Sequence, residues 1–139
     1  MKANELRIGN LIYSSSGGVK YVVGTSYKTI LHSSSLESYT YYEDYDSNCE
    51  PIPLTEEILL KCGFQIRDKK YSLNYGGESM RFAILENDIR NPFILYFHGR
   101  FGFNLNEGRK NGDYCIQYVH QLQNLYWCLC GKELTFNNL

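Results

Sequence analysis

The segment Pro51–Phe64 carries a full set of start and stop signals for a helix only about two turns long. Thr55 is a good N-cap, able to accept a hydrogen bond from an otherwise unpaired N–H of the first turn. Glu56 and Glu57 follow where the helix dipole favours negative charge. Leu54 before the cap and Leu59 inside it form a hydrophobic staple, Lys61 falls in the last turn, and Gly63 supplies the left-handed position that ends a helix. Phe64 is then placed to pack back on Leu59. The cap and the dipole account for both glutamates without acid–base chemistry. A helix this short works as a joint, so the rest of the chain must supply the core.

Upstream, residues 6–33 read as β. Leu6-Arg7-Ile8, Leu11-Ile12-Tyr13, Val19–Val23 and Tyr27–Leu31 are short apolar or β-branched runs, separated by Gly9-Asn10, by the loop Ser14–Gly18 and by Gly24-Thr25-Ser26. Several short strands with tight turns in about forty residues suggest a small curled sheet. The order Gly-Asn-Leu-Ile-Tyr, glycine loop, Val-x-x-Val-Val-Gly resembles the opening of an SH3-like barrel, a fold that hosts many functions.

Downstream, residues 65–118 read mostly as antiparallel β. Tyr71–Tyr75 alternates, Gly76-Gly77 turns, and Met80–Leu85 continues. The run Phe93–Phe97 is apolar throughout and suggests a strand covered on both faces. Phe101–Leu105 and Tyr114–Tyr118 are further strands, with a polar loop carrying Asn111-Gly112 between them. From Val119 the period changes. Leu122, Leu125, Tyr126 and Leu129 recur at helical spacing, predicting a helix over 119–130 that packs on the second sheet and ends at Gly131. Trp127 falls on the side of Gln123 and Asn124, where it is either covered by another element or serves as a partner anchor.

The formal net charge of −1 hides a polarised chain: residues 1–36 carry +3, residues 37–57 carry −7 with no basic residue, and residues 58–139 carry +3. Thirteen residues are Tyr, and four of them fall at 39, 41, 42 and 45, inside the acidic stretch. This segment reads either as a strand or loop with a solvated acidic edge or as a contact surface, since Tyr offers large rigid area with a polar tip. The candidate contact residues are Tyr39, Tyr41, Tyr42, Glu43, Asp44, Tyr45, Asp46 and Trp127. The balance argues against a strongly basic nucleic-acid binder and against an acidic mimic of DNA.

Motifs for catalysis are missing. There is no Gly-x-Gly-x-x-Gly, no phosphate-binding Gly-x-x-x-x-Gly-Lys-Ser/Thr and no Gly-x-Ser-x-Gly elbow. His32, His98 and His120 lie far apart, and Cys128 and Cys130 would point to different sides of a helix, so neither a metal nor another cofactor is expected. Five Cys with no apolar leader point to reduced thiols in a cytoplasm, and no apolar run is long enough to span a membrane. A small nucleotide has one plausible cradle: Arg100, Phe101, Phe103, Arg109 and Lys110 combine cations with rings on which a base stacks. Loop charges that solvate turns explain the same residues.

Three stretches, Met1–Asn10, Pro51–Phe64 and Tyr118–Trp127, together resemble small phage- and prophage-associated proteins of gut anaerobic bacteria, a group with no assigned activity. The resemblance covers about a third of the chain and leaves 65–117 unmatched. It implies a mobile-element setting and a site of action in the cytoplasm of a bacterial host.

The resulting expectation is an α+β fold, mostly antiparallel β. An SH3-like subdomain spans 1–50, and the short helix, a β-meander and the C-terminal helix span 51–139, unless both halves fold as one compact domain. The leading functional expectation is a non-enzymatic binding protein that acts on a host macromolecule, a protein rather than nucleic acid, with counter-defence as one setting. A binder that sequesters a nucleotide signal is the second, and a hydrolase with an unfamiliar site the third.

Overall fold

A computed structural model describes residues 1–70, 79–86, 92–98, 102–105, 115–137 and 139, with the backbone alone at 69, 70, 79 and 80. The fold is α+β with mostly antiparallel strands, as expected, and the chain divides into two compact units.

The first unit takes Met1–Pro53 together with Tyr118–Leu134. Its sheet has five strands: β1 (Leu11–Tyr13), β2 (Val19–Ser26), β3 (Thr29–Ser33), β4 (Tyr42–Tyr45) and β5 (Glu50–Pro51). They lie in the order β4-β3-β2-β1-β5, each antiparallel to its neighbour. No ladder joins β4 to β5, so the sheet is open and the expected SH3-like barrel is not formed among the described residues. Leu6-Arg7-Ile8, expected as a strand, follows a 3-10 turn at Ala3–Glu5 and leads into a tight turn at Ile8-Gly9. Ile12, Val22, Ile30, Leu6, Ala3 and Cys49 make one buried cluster.

Helix α2 (Val119–Cys130) belongs to this unit and packs against β1, which corrects its expected assignment to the second sheet. Its buried face is also displaced. Val119, His120, Leu122, Gln123 and Tyr126 are buried, Leu125 is half-buried, and Leu129 is 59% exposed. The displacement has a polar cause. Asn10 and Gln123 are both buried, and their amides satisfy one another and the backbone around them. Asn10 Nδ2 donates to Asn124 Oδ1 at 2.9 Å, Gln123 Oε1 accepts from the Leu11 N–H, and Gln123 Nε2 donates to the Gly9 carbonyl. A hydrophobicity stripe cannot register amides that become core by pairing.

The second unit takes Leu54–Gln117 and Thr135–Leu139. Helix α1 (Glu56–Lys61) forms as its signals require. Thr55 Oγ1 accepts from the Ile58 N–H at 3.3 Å, Gly63 turns left-handed at φ 92°, and the Phe64 N–H closes on the Leu59 carbonyl at 3.0 Å. A meander follows: β6 (Gln65–Lys70), β7 (Ser79–Leu85), β8 (Phe93–Phe97) and β9 (Phe103–Asn104), in that spatial order. On β8, Phe93 and Leu95 are buried while Ile94, Tyr96 and Phe97 are half-buried, so one face is covered more fully than the other. Phe64 meets Phe93 edge-on with centroids 6.2 Å apart, and Leu59, Ala83 and Leu95 are shut off from solvent. Within the expected strand 114–118, Ile116 makes an isolated bridge to Phe103, and Tyr118 makes one to Pro53 in the first unit. The expected strand 71–75, its turn at 76–77 and the loop 107–112 lie outside the described residues.

Candidate functional site

The acidic, Tyr-rich segment becomes strand β4 and its approach, at the open end of the first sheet. The connection from β3 is built from short side-chain bonds. Ser33 Oγ donates to the Thr40 carbonyl at 2.7 Å, and the hydroxyls of Ser35 and Ser38 accept the N–H groups of Glu37 and Thr40. Such turns hold a loop without a core beneath it. The strand then pairs with β3 in the register His32 with Tyr42, Leu31 with Glu43, Ile30 with Asp44 and Thr29 with Tyr45.

Tyr41, Tyr42 and Tyr45 keep 60 to 65% of their surface in solvent, and Tyr39 keeps all of it. The acids divide. Glu43 is exposed, but Asp44 is tied inward by three contacts: His32 Nε2 at 2.7 Å and the Ser15 hydroxyl at 2.8 and 2.9 Å on its two oxygens. The His32 hydrogen bond is the main cause that holds the Asp44 carboxyl below its ordinary range, with Ser15 adding to it against partial burial. Asp46 accepts the Ala3 N–H at 3.1 Å. The sequence-derived contact residues therefore separate into an outward set, Tyr39, Tyr41, Tyr42, Glu43 and Tyr45, and an inward pair, Asp44 and Asp46.

Ser15, His32 and Asp44 are the residue types of a hydrolytic triad, but their order differs. The serine hydroxyl donates to the carboxylate rather than to the imidazole, and the remaining ring nitrogen of His32, Nδ1, is buried without a partner. A nucleophile needs its proton on the base. Here the same groups lock Asp44 and brace the strand, with the His32 ring 6.2 Å from that of Tyr42. Ser15, in a serine run, and His32 carry no local sign of this contact, because they lie 29 and 12 residues from Asp44 and meet it only in the folded sheet.

Trp127 does not join the tyrosines. It sits on α2, which packs against β1, three strands away from β4. It is 45% exposed, with the Arg7 guanidinium over its ring at 5.1 Å. Arg7 is fixed in turn by Glu133, with nitrogen–oxygen distances of 2.6 and 2.9 Å. A cleft of about 510 Å³ opens beside the β2–β3 turn, lined among others by Lys2, Ala3, Tyr27, Lys28 and Asp46.

Of the nucleotide cradle, Phe103 is buried edge-on against Phe97 with centroids 4.9 Å apart, while Arg100, Phe101, Arg109 and Lys110 lie outside the described residues. Among the described residues, no three His, Cys, Asp or Glu side chains converge to hold a metal ion, and no helix is long and apolar enough to cross a membrane. No family model, curated protein or solved structure matches the chain.

Proposed function

We propose that the protein is a non-catalytic binding module of phage or mobile-element type. It docks onto a protein of a bacterial host through the Tyr-rich segment 39–45, and counter-defence is one setting in which such docking acts. The observation that carries this reading is the joint exposure of Tyr39, Tyr41, Tyr42 and Tyr45 on a segment braced from behind by the Ser15–Asp44–His32 bonds. Rigid aromatic side chains on a pre-ordered strand lose little freedom on binding, which is the condition for a contact hot spot. Five free thiols agree with work in a reducing cytoplasm.

The test is affinity capture from host lysate with wild-type protein and with Tyr41, Tyr42 and Tyr45 all changed to Ala. The wild type should retain a discrete set of proteins that the variant releases. Retention of the same set by a folded variant would remove the segment as the contact.

A further inference from the structure

We propose that docking at β4 is strand addition, in which an extended partner segment with Lys or Arg at alternate positions pairs with the free edge of that strand. The inference rests on the reading of residues 39–45 as a contact surface and names its mode and partner class. Strand β4 is terminal in the order β4-β3-β2-β1-β5, and no other described strand pairs with it.

The backbone pattern fixes which groups are on offer. The Asp46 N–H donates to the Lys28 carbonyl at 2.9 Å, one step beyond the pair Thr29–Tyr45. In an antiparallel pair, residues alternate between those that bond across and those that face away. With 46 bonding across, 44 and 42 do the same, and Tyr45 and Glu43 turn their N–H and carbonyl groups outward. A partner strand therefore meets four unpaired backbone groups on two residues, flanked by exposed Tyr rings.

Charge selects the partner. Residues 37–57 hold seven acids and no base. Asp44 and Asp46 are tied inward, while Glu37, Glu43 and Glu50 are exposed. Like charges set opposite one another repel across a ladder, so this edge disfavours a second copy of itself. Ammonium and guanidinium groups gain both from the carboxylates and from the faces of the Tyr rings. Main-chain bonds give affinity in such recognition, and alternate side chains give specificity.

Proline at position 43 discriminates. Its missing N–H is one that faces outward, so the ladder to β3 keeps its bonds. The probe is a labelled, terminally blocked octapeptide of alternating Arg and Val, read by fluorescence anisotropy at low and high salt. Wild type should bind at submillimolar peptide, more weakly in high salt. Glu43→Ala, the charge control, should weaken binding a few-fold, and Glu43→Pro at least ten-fold beyond that. On wild-type protein, the peptide N-methylated at alternate residues should lose binding in one frame and keep it in the other, so the test stands even if Glu43→Pro does not fold. Equal affinity of the Pro and Ala variants, or binding by both methylated frames, overturns strand addition. If the triple Tyr variant still loses the peptide in that case, the contact surface survives without the mode. No binding to wild type at millimolar peptide, or a wild-type dimer in sedimentation that Glu43→Pro dissolves, overturns the basic partner.

Discussion

Gln123 of the C-terminal helix and Leu11 of the first strand are joined side chain to backbone: Gln123 Oε1 accepts the buried Leu11 N–H at 2.9 Å. The same amide donates to the Gly9 carbonyl at 3.1 Å. Gln123→Ala strands both backbone groups, and each orphan costs about 1–3 kcal/mol. The variant should melt well below wild type in a thermal scan. An unchanged melting temperature would show that water replaces the amide.

Truncations along α2 should sort by burial, not by the stripe read from the sequence. Leu122→Ala should lose about 2–5 kcal/mol, while Leu129→Ala should stay within about 0.5 kcal/mol. Leu122 is shut off from solvent and Leu129 is 59% exposed. Chemical denaturation of the two variants measures the difference, and comparable losses would contradict the helix orientation.

His120 gives the fold a pH dependence of known sign. Burial is the main cause that holds its pKa below the ordinary 6.5, against an opposing pull from Glu5. The folded state therefore keeps the imidazole neutral where the unfolded chain already takes a proton. Its contribution is fully present above pH 6.5 and is lost as pH falls toward the depressed folded value. His120→Gln should flatten the fall in melting temperature as pH drops below about 6.5. An equally steep fall in the variant would assign the effect to other groups.

Three of the five thiols should react in a fixed order. Burial pushes the Cys62 thiol up to about 12 and is the main cause that pushes Cys49 up to about 11. Cys128 is exposed. Thiolate is the reacting species, so a disulfide reagent at pH 8 should label Cys128 in the native protein. Cys49 and Cys62 should become labelled only on unfolding. Rapid native labelling at either, mapped by peptide mass, would contradict the packing around it.

Among the described glycines of the second unit, Gly102 is the least replaceable. It sits at φ 98°, and a Cβ there would run into the Ile116 carbonyl oxygen. Gly102→Ala should separate Phe103 from Ile116, whose backbone groups bond at 2.7 and 2.9 Å, and lower the melting temperature by several degrees. A melt like that of wild type would show that the backbone shifts freely here.

Local signals were legible in proportion to how local their physics is. The cap at Thr55, the glycine at 63 and the strand compositions at 19–23, 80–85 and 93–97 act within a few residues, and the structure realises each of them. The period change at Val119 marked the last helix to the residue. What the helix packs against was not legible, because its buried face is set by Asn10, 113 residues away from Gln123 in sequence. The same limit applies to the candidate surface. Tyr39–Tyr45 stood out by composition, but the inward turn of Asp44 depends on Ser15 and His32, partners 29 and 12 residues away.

The first compact unit draws its chain from both ends of the sequence. During synthesis Arg7 and Asn10 leave the ribosome long before the helix that satisfies them, while all of 54–117 emerges in between. Domains made from one continuous stretch can fold as they appear. This one cannot: its opening strands complete their packing only once residues 118–134 have followed. The strands made early and the helix made late are therefore sealed in the same step.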